Sequence, residues 1–243
     1  MTTILELEDV NAYYGKAHIL HGVNLSVMRG GVTALLGRNG MGKSTTLKAI
    51  MGMVTVPQGK IILEGSDVNG KTIDAIARLG IGYVPEDRRL FTSMSVKENL
   101  LVSYIRGKSS IKKNLEKVYS LFPVLSEKSA LRADLLSGGE QQMLAIGRCL
   151  MNDPVLMLLD EPCEGLAPVI VKELRKCVNK LLQEQISVLL VEQSIRLAKD
   201  VASNSYVLNK GQICHQGNIR EILSDSFIMK QYLGVGSEND QSV

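Results

Sequence analysis

Gly37-Arg38-Asn39-Gly40-Met41-Gly42-Lys43-Ser44 is the stretch on which the fold turns. It follows Val32-Thr33-Ala34-Leu35-Leu36, a compact apolar run of strand character. It precedes Ser44 to Met51, whose pattern predicts a helix closed by Gly52. A strand, a glycine-rich loop and a helix start form a cradle for an anion. Glycines let successive backbone N–H groups turn inward, and the helix start adds its positive end. Lys43 supplies a mobile cation, and the Ser44 hydroxyl can ligate a divalent metal. The pattern G-x-x-x-x-G-K-[ST] in this setting predicts a polyphosphate site. Its contacts come from Gly37, Arg38, Asn39, Gly40, Met41, Gly42, Lys43 and Ser44, with Thr45 next in line.

Working outward, the first thirty residues read as short alternating strands with glycine turns at Gly15, Gly22 and Gly30-Gly31. Lys60 to Leu63 is a strand between turns at Pro57-Gln58-Gly59 and Glu64-Gly65. Ile81 to Val84 is a buried strand ending at Pro85. From Asp87 to Asp153 the pattern gives helices and loops but no strand. Ser95-Val96-Lys97-Glu98 is a capping box, and Ile111, Leu115, Val118 and Leu121 recur at helical spacing. Strands resume at Val155 to Leu159 and Ile186 to Val191, with a helix after Pro168 between them. Tyr206 to Leu208 and Ile213 to His215 flank a hairpin turn at Asn209-Lys210-Gly211-Gln212. The expected fold class is α/β, a mostly parallel sheet in a P-loop NTPase core, with an N-terminal antiparallel β part and an inserted α-helical subdomain. The expected boundaries are one domain over residues 1–236, with core 1–86 and 154–236, helical insert 87–153 and a frayed tail 237–243. Such sheets bind ligands at the carboxyl ends of their strands.

Two further motifs fall at such ends or at helix starts. Leu156-Met157-Leu158-Leu159-Asp160-Glu161-Pro162 is an apolar run ending in two carboxylates, which are costly to bury unless a cation or hydrogen bonds compensate them. Given the loop upstream, Asp160 is placed to hold a Mg²⁺ shell and Glu161 to polarise an attacking water as general base. Leu136-Ser137-Gly138-Gly139-Glu140-Gln141-Gln142 is a capped helix start, with Ser137 and Glu140 as the capping box and Met143, Ile146 and Leu150 on the inward face. Ser137, Gly138 and Gly139 also offer bare N–H groups, a hydroxyl and a helix dipole to a second anion. One chain already has a complete loop, so a second anion site points to another subunit's nucleotide, shared across a dimer.

Bulk properties narrow the class. At 243 residues the chain fits one large α/β domain. A net charge of +3 gives no reason to expect nucleic acid as partner. The longest apolar runs are too short to span a bilayer, and the N-terminal residues lack the pattern of a secretory signal. Cys149, Cys163, Cys177 and Cys214 form no C-x-x-C pair, and His18, His21 and His215 lack zinc-ligand spacing.

The phosphate loop, Leu136 to Gln142 and Leu158 to Pro162, in this order and spacing, resemble the ATP-binding subunit of an ABC transporter. The resemblance covers about Leu5 to Leu233. It implies ATP as the nucleotide with Mg²⁺, and a head-to-tail dimer that sandwiches ATP between one subunit's loop and the other's Ser137-Gly138-Gly139. It implies adenine stacking on Tyr14, with Tyr13 as fallback, and a dimer-contact loop at Leu166-Ala167-Pro168. The implied partners are a second ATPase subunit, identical or different, two membrane permeases and, indirectly, a periplasmic or extracellular substrate-binding protein. The implied location is cytoplasmic, on the inner face of the membrane.

Three positions depart from the family pattern. Glu86, in Val84-Pro85-Glu86, stands where most relatives have a metal-contacting Gln; its carboxylate can ligate Mg²⁺ too, but adds charge near the phosphates. Ala167 replaces the usual Asp of the dimer-contact loop. Gln193, in Val191-Glu192-Gln193, replaces the His that contacts the γ-phosphate; its amide can donate a hydrogen bond but carries no charge. With Glu161-Pro162-Cys163-Glu164-Gly165-Leu166-Ala167-Pro168, these stretches resemble the second ATPase of bacterial branched-chain amino-acid importers. Urea and short-amide importers share much of the pattern, and Glu164-Gly165 leans toward them. A repair ATPase would need a long coiled coil between Ser44 and Leu136, and that segment is too short and lacks heptads. Translation ATPases usually carry two cassettes, and one is present. A non-catalytic regulatory subunit is the remaining alternative, with Gln193 and Ala167 as its motive.

Overall fold

The computed structural model describes residues 2–105 and 109–234; the expected tail 237–243 lies outside them. Two strands, β1 (Thr3–Tyr14) and β2 (Ala17–Met28), open the chain as one antiparallel hairpin turned at Gly15-Lys16. The expectation of several short strands is corrected here. Gly22 is no turn but lies inside β2 opposite a break in register between Leu7 and Val10. Its φ of +63° faces Asp9 at φ +49°, a bulge that bends the hairpin without ending it. β3 (Val32–Leu36) leads into the phosphate loop, and α1 (Lys43–Ile50) leaves it. Gly52, at φ +67°, closes α1 with its N–H on the Ala49 carbonyl.

β4 (Thr55–Leu63) is longer than expected and runs straight through Pro57 and Gly59. The next strand, β5 (Ser66–Asp67), covers only Ile62 and Leu63 of β4. Pro57 therefore sits on an open edge, where a missing N–H costs no ladder bond. At Gly59 a Cβ would fall 2.3 Å from the Asp9 carbonyl oxygen, so close strand approach demands glycine. α2 (Ile73–Arg78) then leads to β6 (Ile81–Val84).

Between β6 and the next sheet strand the named elements are all helices: α3 (Val96–Ser103), α4 (Ile111–Leu121), α5 (Pro123–Glu127) and α6 (Gly138–Leu150), with a short 3₁₀ turn at Ala133–Leu135. The capping boxes at Ser95–Glu98 and Ser137–Glu140 are both formed. β7 (Leu156–Asp160), α7 (Pro168–Gln183), β8 (Ser187–Glu192), α8 (Ile195–Val201), β9 (Asn204–Asn209), β10 (Gln212–Asn218), α9 (Ile219–Ser224), the short α10 (Ser226–Ile228) and a π-helical turn at Met229–Leu233 complete the order of the described residues. Lys210 and Gly211, both at positive φ, make the two-residue turn between β9 and β10.

Two sheets result, β2-β1-β4-β5 antiparallel and β10-β9-β3-β8-β7-β6 parallel except for the β9–β10 pair. Central strands β3, β7 and β8 are buried along their whole length, which explains their unbroken apolar sequence. Their residues alternate between two cores. Ala34, Leu36, Met157, Leu159, Val188 and Leu190 pack with the helical segment. Leu35, Leu156, Leu158, Leu189 and Val191 pack with α1 and the β1–β2 hairpin. The sheet thus fixes the ends of β3, β6, β7 and β8 side by side, and each of those ends carries a candidate site residue.

Candidate functional site

The loop between β3 and α1 depends on glycine at two places, Gly37 and Gly42. A Cβ on Gly37 would lie 2.5 Å from the Leu208 carbonyl oxygen of β9. Gly42, the N-cap of α1, holds φ +106° and packs on Leu20, Leu208 and Gly211. The Gly211 N–H donates to the Met41 carbonyl, and the Lys210 N–H reaches the Met41 sulfur at 3.3 Å. The β9–β10 turn therefore braces the loop from outside. Arg38, Asn39 and Gly40 are exposed along its outer rim, and Ser44 and Thr45 are half-buried at the helix start.

Lys43 is 3% exposed, and its ammonium donates to the Arg38 carbonyl at 3.0 Å and pairs with Glu161 Oε1 at 3.0 Å. The Ser44 hydroxyl donates to Asp160 Oδ1 at 2.9 Å, and the Tyr83 hydroxyl donates to Asp160 Oδ2 at 3.1 Å. Burial raises the Asp160 carboxyl, the Ser44 and Tyr83 bonds hold it down, and the charges of Glu161 and Glu86 push it up again. Asp160 also presses on Tyr83: burial first, then the Asp160 charge, drives that phenol well above its ordinary range. Loop, strand end and neighbouring strand thus meet through five side chains, Lys43, Ser44, Asp160, Glu161 and Tyr83. A hydroxyl and a carboxylate oxygen in contact at a helix start form an oxygen donor set that suits a hard divalent cation such as Mg²⁺.

Glu161 sits at φ +44°, left-handed backbone that a non-glycine side chain adopts only at a cost. Its N–H continues the sheet onto the Val191 carbonyl at 2.9 Å, and the Glu164 N–H closes a turn on the Glu161 carbonyl. Glu164 faces both Glu161 and Glu86; burial raises its carboxyl first and the two neighbouring carboxylates raise it further. Glu86 itself is exposed, just past β6, and acts on Asp160 through charge. The chain therefore brings the carboxylates of Glu86, Asp160, Glu161 and Glu164 close enough to act on one another.

Ser137, Gly138 and Gly139 lie elsewhere, at the start of α6. The Ser137 hydroxyl caps the Glu140 N–H, and Glu140 pairs with Lys128 at 2.6 Å. Gly139 is required there, since a Cβ would come within 2.4 Å of Ile170. None of the hydrogen bonds or ion pairs among the described residues joins these three to the loop 37–44. Gln193 is exposed just past β8. Of the two tyrosines, Tyr13 stacks on His18 with ring centroids 4.2 Å apart, whereas Tyr14 is 45% exposed at the tip of the hairpin. Among the described residues no aromatic ring stacks on Tyr14.

Sequence reading missed Tyr83, Glu192 and Arg88. Tyr83 carried no motif; only the pairing of β6 with β7 brings it to Asp160. Glu192 ends an apolar strand in a carboxylate, the same signal that singled out Asp160. Arg88, at φ +59°, forks onto Gln141 and Gln142 of α6 at 3.1 and 3.0 Å, a contact visible only once α6 is placed.

Residues 20–164 match the family model described as ABC transporter. The high-affinity branched-chain amino acid transport ATP-binding protein BraG of Pseudomonas aeruginosa is 40% identical over 95% of this chain and 100% of its own length. The lipopolysaccharide export system ATP-binding protein LptB of Haemophilus influenzae is 32% identical over 96% of this chain and 98% of its own. A nucleotide-free ATP-binding cassette from an ABC transporter superposes with a TM-score of 0.86 at 28% identity, covering 97% of this chain and 100% of that one. A dimeric cassette in a post-hydrolysis state bound to ADP and Pi superposes with a TM-score of 0.77 at 25% identity, over 89% and 99%.

Proposed function

The chain belongs to the ABC transporter family of ATP-binding subunits, and on that premise we propose that it hydrolyses ATP to drive uptake of branched-chain amino acids through membrane permeases. The observation that carries the chemistry is the four-residue junction. Lys43 pairs with Glu161 and Ser44 bonds to Asp160, two contacts side by side at the mouth of a loop built for polyphosphate. The support for the substrate class is the 40% identity to BraG, above the 32% shared with the lipopolysaccharide export protein.

In the mechanism that fits, the loop N–H groups from Gly37 to Ser44 hold the phosphates. Lys43 exchanges its contact with Glu161 for the β- and γ-phosphate oxygens. Glu161, released, faces the water that attacks the γ-phosphorus and takes its proton. Ser44 and Asp160 would hold Mg²⁺, whose charge would offset that developing on the phosphates. Gln193 donates an amide hydrogen bond at the γ-phosphate end, and Tyr14 stacks on adenine. Ser137, Gly138 and Gly139 do not reach this chain's own loop, which suits a role against the nucleotide of a second ATPase subunit in a head-to-tail dimer.

Permease docking falls on the junction of α2, β6 and the helical segment, where a cavity of about 500 Å³ opens. Ile73, Leu79, Phe91, Val102 and Ile105 line it and are all exposed, an apolar surface that a short permease helix would cover. Among the described residues no helix is long and apolar enough to cross a membrane. A peripheral position on the inner membrane face, held by the permeases, fits both facts. Glu164 favours a second reading, a urea or short-amide importer with the same ATPase chemistry. Reconstituting the chain with its permeases and binding protein, and following ATP-driven uptake of labelled leucine and labelled urea into vesicles, separates the two. Uptake of neither, with ATP turnover intact, would overturn both.

A further inference from the structure

Glu192 is a buried carboxylate to which the mechanism above gives no task. It ends β8, is 2% exposed, and accepts a hydrogen bond from the Cys163 backbone N–H at 3.2 Å. The Cys163 thiol lies against the same carboxylate, and the Lys43 ammonium and the Glu161 carboxylate are its charged neighbours. Burial pushes its carboxyl up to about 7. An apolar side chain at the end of this apolar strand would avoid that cost.

The bond it makes falls two residues after Glu161, whose left-handed backbone must be held from several sides to persist. The Val191 carbonyl holds the turn at its start through the Glu161 N–H. The Glu164 N–H closes it on the Glu161 carbonyl. Between these anchors the Cys163 N–H is buried, and Glu192 is its acceptor. We propose that Glu192 is a positioning residue for hydrolysis, clamping the turn Glu161–Glu164 through Cys163 so that the Glu161 carboxylate stays aimed at the γ-phosphate. This rests on Glu161 being the general base.

The test uses the full chain in its ATPase assay, with Glu161→Gln as reference. Glu192→Met keeps the unbranched shape and removes the acceptor; Glu192→Gln keeps an acceptor oxygen. Glu192→Met should bind MgATP with KM within about threefold of wild type, while kcat falls about 10- to 100-fold, the loss typical of a displaced catalytic group. Its Tm should hold or rise, because removing the buried carboxyl outweighs the cost of leaving the Cys163 N–H without its acceptor. Glu192→Gln should recover kcat to within about threefold. Loss of kcat in Glu192→Met together with a lowered Tm, or Glu192→Gln as impaired as Glu192→Met, would overturn the clamp. So would an unchanged kcat in Glu192→Met when Glu161→Gln is inactive. If Glu161→Gln itself keeps full turnover, it is the assignment of the base that fails.

Discussion

Replacing Glu161 with Gln should do three things at once: weaken the nucleotide-free chain, tighten its grip on ATP, and stop turnover. The magnitude follows from the Lys43–Glu161 pair, 3.0 Å apart and only 3% and 8% exposed. At an effective dielectric near 20 the attraction at that distance is about 5 kcal/mol. A Gln oxygen would keep a hydrogen bond from the ammonium worth about 2 kcal/mol. The difference, on the order of 3 kcal/mol, stabilises the empty site and must be given up when Lys43 moves to the phosphates. Glu161→Gln should therefore lower the Tm of the nucleotide-free protein by about 6–12 °C. It should bind a non-hydrolysable ATP analogue up to about 100-fold tighter, since ~1.4 kcal/mol is tenfold in affinity. Calorimetric titration of both proteins, with thermal unfolding of each without nucleotide, reads both effects. Equal affinities with equal melting temperatures would refute the idea that this ion pair holds the resting site.

Other expectations are more local. Tyr14→Ala should weaken ATP binding about tenfold through lost stacking, whereas Tyr13→Ala should leave affinity within about twofold because that ring is occupied by His18; fluorescence titration with ATP tests the pair. Gly37→Ala places a methyl 2.5 Å from the Leu208 carbonyl oxygen, so the loop must shift and ATP affinity should fall at least about tenfold, by the same titration. Glu192 has its carboxyl raised by burial from 4.5 to about 7, so folding favours its protonated form. Its contribution is complete below pH 4.5 and is lost as pH rises through 7, on the order of 3 kcal/mol in all. The Tm advantage of Glu192→Met over wild type should accordingly grow between those pH values and then level off; a constant difference would contradict the shift.

Much of the core was legible because its signals are local. Val32 to Leu36 and Leu156 to Leu159 read as strands since both faces are buried, and the loop glycines read as a phosphate cradle since their spacing is fixed by the ligand. Capping boxes at Ser95 and Ser137 placed two helix starts without any tertiary information. Failures came where tertiary contact overrides local preference. Gly22 and Pro57-Gln58-Gly59 look like turns, yet both lie inside long strands, one as a bulge and one on an uncovered edge. Tyr83 reaches Asp160 only through the pairing of β6 with β7, and Arg88 meets Gln141 and Gln142 only through the placing of α6, which no spacing in the sequence encodes. Glu192 was within reach: the rule that singled out a carboxylate ending one apolar strand applied equally to the next.

On the proposed reading, Gly37 to Ser44 forms half of an ATP site and Ser137, Gly138 and Gly139 serve the other half from a second subunit. Amide hydrogen exchange of Glu161→Gln with MgATP, at concentrations where sedimentation shows monomer and then dimer, distinguishes the two halves, with the partner ATPase added if the chain does not pair with itself. ATP should protect the N–H groups of residues 37–44 in both states and those of 137–139 only in the dimer. Protection of 137–139 in the monomer, or its absence in an ATP-bound dimer, would contradict the account.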